Sequence, residues 1–383
     1  MSYRIAFVFD DTLDVLDGVQ QHIVTLGKEL ARRGHDVHYL VGQTEHSPVP
    51  NTHAMSRNVM VRANGNRMRI PSRRLIARTL AEGGFDILHV QAPYSPFMAG
   101  RVLEAASPDT GVVATYHIAV SDPLSAVGGM TLGAINAHTH RRIDEVIAVS
   151  DVAARYAAIT AHTRARVIAN PVDVRMMRDR AAAADNGTLN SDTVAPHIVF
   201  LGRFVKRKGA DILLDAIEYG EQHRLFPAGT HVTMAGKGPL LDACRHRAVG
   251  FDTPITFTGF IEESAKPALL RSADVAVFPA TGGESFGIVL LEAIASGATV
   301  TLAGDNPGYH STLLGDTDAL FPVHGRDAAR ILAERIARAI NDTTWAKQVH
   351  AREALLLDRY DVRTIADQVE QVYMQAIAKR RKA

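Results

Sequence analysis

Ile198-Val-Phe-Leu201-Gly202-Arg203-Phe-Val-Lys-Arg-Lys208-Gly209, followed by the helical stretch Ala210 to Tyr219, decides how this chain folds. A four-residue apolar run ends at one glycine, and a second glycine opens a helix. The run is too short for a buried helix and does not alternate, as expected of a strand covered on both faces. The same pattern recurs downstream at Val232 to Ala235, Ile255 to Thr258, Val275 to Pro279, Thr299 to Leu302 and Ala319 to Pro322. Upstream it appears at Ile5 to Phe9, Val37 to Val41, Val59 to Arg62, Ile87 to Gln91, Val112 to His117, Val146 to Ser150 and Val167 to Ala169. Helical stretches lie between them. The clearest begins near Gly18, sets Val19, Ile23, Leu26 and Leu30 on one face, and stops at Arg33-Gly34. A basic last turn and a glycine are ordinary helix stops. Buried strands alternating with helices predict an α/β fold with doubly wound parallel sheets.

At 383 residues the chain exceeds one ordinary core. From Arg178 to Pro196 large apolar residues become scarce and alanine, asparagine and aspartate take over. The predicted organisation is a first domain over 1–176, a linker or insertion over 177–196, and a second domain over 197–361, with ligands at the carboxyl ends of the strands in a deep cleft. Further helices are expected near 327–341, 344–357 and 362–381. Hydrophobic content of 46% and charged content of 22% are those of a soluble globular protein. Net charge is +1, so basic function must come from local clusters. Cys244 is the single cysteine, which excludes an internal disulfide and suits a reducing, cytoplasmic compartment. Neither a signal peptide nor a membrane-spanning run is expected.

Several constellations point to chemistry. In Thr281-Gly-Gly-Glu284-Ser285-Phe286-Gly287-Ile288-Val-Leu-Leu-Glu292, two carboxylates stand eight positions apart, joined by an apolar helix. An unpaired carboxylate inside Ile288-Val-Leu-Leu-Glu-Ala-Ile is costly. The glycine turn leaves N–H groups of residues about 285 to 288 free at a helix N-terminus, an anion site. Carboxylates for hydroxyls and amides for phosphates suit a nucleotide-sugar. The cations of Gly202 to Gly209 precede a helix N-terminus, where positive charge is unfavourable unless an anion intervenes. A diphosphate would supply it, with Arg203 binding two oxygens and Lys208 acting as a point charge. The competing reading is a solvated basic loop.

Gly236-Lys-Gly-Pro239 lacks the third glycine of a dinucleotide fingerprint and reads as a structural turn. Thr258 to Lys266 leaves a strand and offers Glu263 and Lys266 to a base or phosphate, against the reading of a plain surface loop. Gly18, opening the first clear helix, allows close backbone approach to a ligand, and Gln20 lies beside it. His117 ends a strand at the expected ligand edge. No histidine has metal-ligand companions and Asp10-Asp11 cannot alone hold a divalent ion, so no metal and no cofactor are expected. Seven arginines fall between Arg57 and Arg78, with no acid from Ser47 to Ala81. Arg67, Arg69, Arg73, Arg74 and Arg78 suit an anionic membrane surface, while a helix packed on the first sheet is the plainer reading. No aromatic platform accompanies them, so nucleic acid is not an expected partner.

Together, Glu284-x7-Glu292, Gly202-Arg203-x4-Lys208-Gly209, Arg33-Gly34-His35 and His117 resemble, over nearly the whole chain, the retaining glycosyltransferases of family 4, whose fold is GT-B. Within that family, Asp14-Val15, Gly18-Val-Gln20, Arg271-Ser-Ala-Asp274 and Thr281 to Leu290 are similar to the phosphatidyl-myo-inositol mannosyltransferases. The resemblance implies that Glu292 binds the ribose, Glu284 the donor sugar, and Arg203 and Lys208 the diphosphate. It implies further donor contacts from Gly18, Gly202 and the 285–288 turn, and His117 over the sugar. It also implies metal-free hexosyl transfer (EC 2.4.1.-) with retention, GDP-mannose as first choice of donor, peripheral membrane contact, and a C-terminal helix over 362–383 packing back on the first, acceptor-side domain. On the acceptor side, beside Gln20, this chain departs. Asp11 stands for a tyrosine, Tyr94 for an asparagine and Asp122 for a lysine. Asp17 and Pro171 replace usual glycines. A UDP-sugar donor with a different acceptor, and a non-hydrolysing nucleotide-sugar epimerase of the same fold, are the alternatives. A dehydrogenase is excluded, because no Gly-x-Gly-x-x-Gly follows the first strand.

Overall fold

The computed structural model describes residues 2–63, 66–95, 97–119, 123–183 and 195–382; for 57–70 and 123–127 it describes backbone alone. The chain divides into two compact units, Met1–Pro171 with Val362–Ala383, and Val172–Asp361.

Among the described residues, unit 1 holds a seven-stranded sheet built from β1 (Arg4–Val8), β2 (Asp36–Val41), β3 (Thr52–Ala54), β6 (Ile87–Gln91), β7 (Gly111–Tyr116), β8 (Glu145–Ala148) and β9 (Arg166–Val167). Their order is β3-β2-β1-β6-β7-β8-β9, and every pair is parallel. The expected strand at Val59 to Arg62 is part of a separate antiparallel hairpin, β4 (Ser56–Ala63) with β5 (Asn66–Pro71). Ile5, Ala6, Phe7 and Val8 are fully buried, so β1 is central and covered on both faces. Five helices follow strands in this unit: α1 (Gly18–Arg32), α2 (Arg73–Gly83), α3 (Met98–Ala105), α4 (Pro123–His140) and α5 (Asp151–Ala161).

Unit 2 holds a six-stranded parallel sheet: β10 (His197–Leu201), β11 (His231–Ala235), β12 (Ile255–Gly259), β13 (Val275–Phe278), β14 (Val300–Gly304) and β15 (Leu320–Phe321), in the order β12-β11-β10-β13-β14-β15. Its helices are α6 (Val174–Ala183), α7 (Ala210–Gln222), α8 (Leu241–Ala248), α9 (Lys266–Arg271), α10 (Ile288–Ser296), α11 (Pro307–Thr312), α12 (Ala328–Asn341) and α13 (Thr343–Tyr360). α6 packs on α9 and α10. The first part of the segment read as a linker is therefore helical and belongs to this unit, while 184–194 lies outside the described residues.

The last helix, α14 (Val362–Lys382), returns to unit 1 and packs on α1 and β7. Ile365, Val369, Val372 and Tyr373 are buried in the same core as Ile5 and Phe7, and each such side chain contributes about 1.5–3 kcal/mol. Arg33-Gly34-His35 explains the docking. Arg33 Nη1 lies 2.6 Å from both Asp367 Oδ1 and Glu370 Oε2, and His35 Nε2 lies 2.7 Å from Glu370 Oε1. That motif fastens the end of the chain to unit 1.

In each sheet the strand order reverses beside the first strand, between β1 and β6 and between β10 and β13. Loops leaving the carboxyl ends of such a pair diverge and leave a crevice, the usual ligand position in open α/β sheets.

Candidate active site

The loop after β10 and the loop after β13 meet at the unit 2 reversal point. Thr281 N–H donates to Arg207 O at 2.8 Å. Gly209 has φ +70°, and a Cβ there would lie 2.0 Å from Pro279 O. Only glycine fits so close to that carbonyl. This stitching brings the cationic run to Glu284. Lys208 Nζ lies 2.9 Å from Glu284 Oε1, and Arg207 Nη1 pairs with the same oxygen. Glu284 is half-buried by them, at 13% side-chain exposure. Asn306 braces the loop from behind. Its Nδ2 donates to Ala280 O at 2.9 Å while its Oδ1 caps α11. Gly287 has φ +132°, with the buried ring of Tyr309 where its Cβ would be.

Arg203 is exposed and has no carboxylate in ion-pair range among the described residues. Lys206 turns away to Asp211. The two cations expected at the site thus differ: Lys208 is engaged with Glu284, and Arg203 stands open. Gly202 joins the backbone of the turn, its N–H donating to Ala235 O at 3.0 Å. Gly236-Lys-Gly-Pro239 packs against this segment, since Cβ atoms at Gly236 and Gly238 would strike the carbonyls of Gly202 and Phe204. Its reading as a structural turn has a steric cause.

Glu292 is buried in α10, at 7% exposure, as the apolar run required. Its partner is Lys266, the first residue of α9, with Nζ 3.0 Å from Glu292 Oε1 and 2.8 Å from Glu263 Oε2. Burial by itself would lower the Lys266 pKa; Glu292 and Glu263 outweigh it and hold the ammonium charged. Lys266 thus joins buried Glu292, 26 residues away, to the half-exposed Glu263 of its own segment. Ser285 and Ile288 are half-buried, and no side chain caps the start of α10. Phe286 points inward, its ring edge-on to Tyr360 at 5.4 Å. If the 285–288 segment meets a ligand, Phe286 does so through its backbone.

In unit 1, His117 lies just past β7 and is buried at 7% exposure. Its Nε2 is 2.7 Å from Gln91 Oε1, so with that oxygen facing the ring the proton sits on Nε2. His22 packs edge-on to it at 4.9 Å. Burial first, then His22 and His89, lower the His117 pKa well below its ordinary value, so the ring is neutral. Gly18 opens α1, and a Cβ there would meet nothing within 4 Å. Packing does not demand glycine at that position, and open space in front of it is what a backbone–ligand approach requires. Gln20 is buried, reaching Thr12 O at 3.4 Å.

Asp11 caps its neighbour Thr12, and Tyr94 joins Tyr116 and Tyr156 in an aromatic cluster. Asp122 lies outside the described residues, as do the side chains of Arg67 and Arg69 on β5. Arg73, Arg74 and Arg78 are exposed on α2, which Ser72 caps by accepting from Leu75 N–H. Arg78 pairs with Glu82 at 2.7 Å.

The reading from residues missed Arg207. It sits in the same basic run, but which of four cations reaches a carboxylate 77 positions away is a tertiary matter.

Comparisons with known proteins agree with this architecture. The family described as "Glycosyltransferase Family 4" matches residues 16–175, and "Glycosyl transferases group 1" matches 195–342. A phosphatidyl-myo-inositol mannosyltransferase of Mycobacterium tuberculosis is 33% identical over 97% of this chain and 96% of its own length. This chain belongs to glycosyltransferase family 4. The Mycolicibacterium smegmatis protein of the same name is 32% identical over 97% of this chain and 93% of its own length. Two solved structures share the fold: a glycosyltransferase from Rickettsia africae (TM-score 0.72, 15% identity, 98% of this chain and 99% of that one) and a sucrose-phosphate synthase from Thermosynechococcus elongatus (TM-score 0.71, 21% identity, 98% and 100%). The fold is GT-B-like, with two Rossmann-like domains, and the protein is a hexosyltransferase. Among the described residues no helix is long and apolar enough to cross a membrane.

Proposed function

We propose that this glycosyltransferase moves mannose from GDP-mannose to a membrane-proximal, lipid-linked acceptor, with retention of configuration and without a metal ion. The observation that carries the reading is the convergence of Glu284, Arg207 and Lys208 on the reversal point between β10 and β13. The mannosyltransferases that match nearly the full chain support the sugar.

In this reading the diphosphate enters beside Arg203 and Lys208 and shares the charge that now rests on Glu284. Glu284 then accepts hydrogen bonds from sugar hydroxyls, and Glu292, held by Lys266, accepts them from the ribose. As the glycosidic bond stretches, negative charge grows on the leaving diphosphate. Fixed cations and the start of α10 are aimed at that charge, which is the role a metal would otherwise take. The acceptor proton passes to the leaving phosphate in a front-side attack. Asp11 and Asp122 stand where the relatives' pattern has a tyrosine and a lysine. Carboxylates repel a phosphoinositide head group, so a lipid-linked sugar or polyol is the acceptor class we favour. The exposed arginines of α2, Arg73, Arg74 and Arg78, meet an anionic lipid surface at the cytoplasmic side.

Thermal shift against a panel of nucleotide-sugars tests the donor, because a ligand at many times its dissociation constant raises stability by a few kcal/mol. GDP-mannose should give the largest shift. Glu284→Gln should retain binding of GDP and lose transfer by about a hundredfold or more. Interconversion of UDP-N-acetylglucosamine without acceptor would replace the transferase reading by the epimerase one.

A further inference from the structure

Glu284 accepts from two cations of different standing. Lys208 is a diphosphate ligand in the reading above, so its ammonium is shared once a donor binds. Arg207 has no such second task. Its backbone carbonyl is tied to Thr281, its aliphatic stem passes the Cα of Gly283, with Cδ 3.4 Å from where a Cβ would be, and its guanidinium ends on Glu284. A Cβ at Gly283 would rest in ordinary contact with that stem, and the φ of +69° there favours glycine. A guanidinium stays charged, and this one meets the carboxylate through one nitrogen, Nη1, on Oε1, the oxygen that Lys208 also contacts. The carboxylate it holds keeps one further oxygen for a ligand.

We propose that Arg207 is a positioning residue for sugar recognition: it fixes the Glu284 carboxylate while Lys208 turns to the diphosphate, so that the enzyme's preference for nucleotide-sugar over bare nucleotide depends on Arg207. The inference rests on the donor reading above. It predicts a separation of effects. Cations that touch the diphosphate affect nucleotide and nucleotide-sugar alike, whereas a residue acting through Glu284 affects the sugar-bearing ligand alone.

The test is calorimetric titration of the full chain and of Arg207→Gln and Arg207→Lys with GDP and with GDP-mannose, alongside kcat and KM. Arg207 is half-exposed, so the variants should unfold at the wild-type temperature. Arg207→Gln should bind GDP within about twofold of wild type but lose about tenfold to a hundredfold for GDP-mannose, the range of one charge-assisted hydrogen bond. KM for the donor should rise, kcat should fall, and Arg207→Lys should recover most of both. Parallel loss for GDP and GDP-mannose would place Arg207 on the diphosphate and overturn the proposal. Unchanged GDP-mannose affinity in Arg207→Gln would do the same. If the wild type itself binds neither ligand, the donor reading fails, and this inference fails with it.

Discussion

Asp10→Asn should stabilise unit 1 at neutral pH, and the gain should vanish in acid. Asp10 leaves the end of β1 and lies at the start of α3. Burial pushes its pKa from 3.8 up to about 6; hydrogen bonds from the Ser95 hydroxyl and from the backbone of Ala99 and Met98 oppose the rise, and the neighbouring Asp11 adds to it. A carboxyl whose folded pKa is raised binds its proton more tightly folded than unfolded. Stability therefore falls as pH climbs from about 3.8 through 6 and stays reduced above. At 1.36 kcal/mol per pH unit the loss amounts to about 3 kcal/mol at pH 7. Asparagine keeps an oxygen for Ser95 and the α3 amides and never has to ionise. The variant should gain up to about 3 kcal/mol at pH 7.5, or on the order of 6–12 °C in the unit 1 transition, and coincide with wild type below about pH 4. His22 has the opposite sign. Burial lowers its pKa to about 4, so stability is lost as pH falls from 6.5 toward 4. His89 and His117, buried in the same unit with lowered pKa, add to the histidine slope, and Asp10→Asn should steepen the acid sensitivity further by removing the opposing carboxyl. Urea unfolding of both proteins at half-unit pH steps from 4 to 8 measures this. A variant equally stable at every pH, or less stable at pH 7.5, would refute the assignment of a strained carboxylate.

Other expectations follow from unit 2 and from α2. Lys266→Met removes the buried ammonium that contacts both Glu292 and Glu263, and should destabilise unit 2, read by chemical denaturation. Restored stability in Lys266→Met with Glu292→Leu would trace the loss to the Lys266–Glu292 contact. Glu353 is buried on α13, its two oxygens accepting from Thr301 N–H at 3.0 and 3.3 Å, and burial raises its pKa well above the ordinary range. A raised carboxyl loses stability as pH rises, so Glu353→Gln should increase the melting temperature, and more so at pH 8 than at pH 5. For α2, replacing Arg73, Arg74 and Arg78 by alanine should reduce co-sedimentation with anionic vesicles by about 1 kcal/mol per arginine at low salt, with no change for zwitterionic vesicles. Equal binding by the triple variant would leave these side chains only a solvated face.

Much of the fold was legible because βα units are local. An apolar run, a glycine and an amphipathic helix are contiguous in sequence, and the strand and helix periods differ. The positions of β10, β11, β13 and α10 therefore agreed with their patterns to within a residue or two. The hairpin of β4 and β5 was not legible: Val59 to Arg62 has a strand's composition, but composition does not say whether a strand joins the main sheet. The part of α6 from Met177 on was read as linker or insertion for a related reason. Of its alanines only Ala181 is buried, and the packing of α6 on α9 and α10 is what places Ala181 and Met177 in a core.

The site divides the same way. Glu284 and Glu292 could be read as a pair because one short loop-and-helix segment carries both, Glu284 just before α10 and Glu292 on it. The apolar run around Glu292 also demanded a buried partner. Which cation answers each carboxylate was decided by the sheet. Strand β10 lies beside β13, so a loop at 202–209 reaches a loop 77 residues later, and Arg207 rather than Arg203 meets Glu284 beside Lys208. Lys266 reaches Glu292 because α9 packs on α10. By itself the sequence determined the βα units, the carboxylate pair and the need to compensate their charge. Tertiary structure chose the compensating partners, since ion pairing acts over a few ångströms of space and is indifferent to separation along the chain.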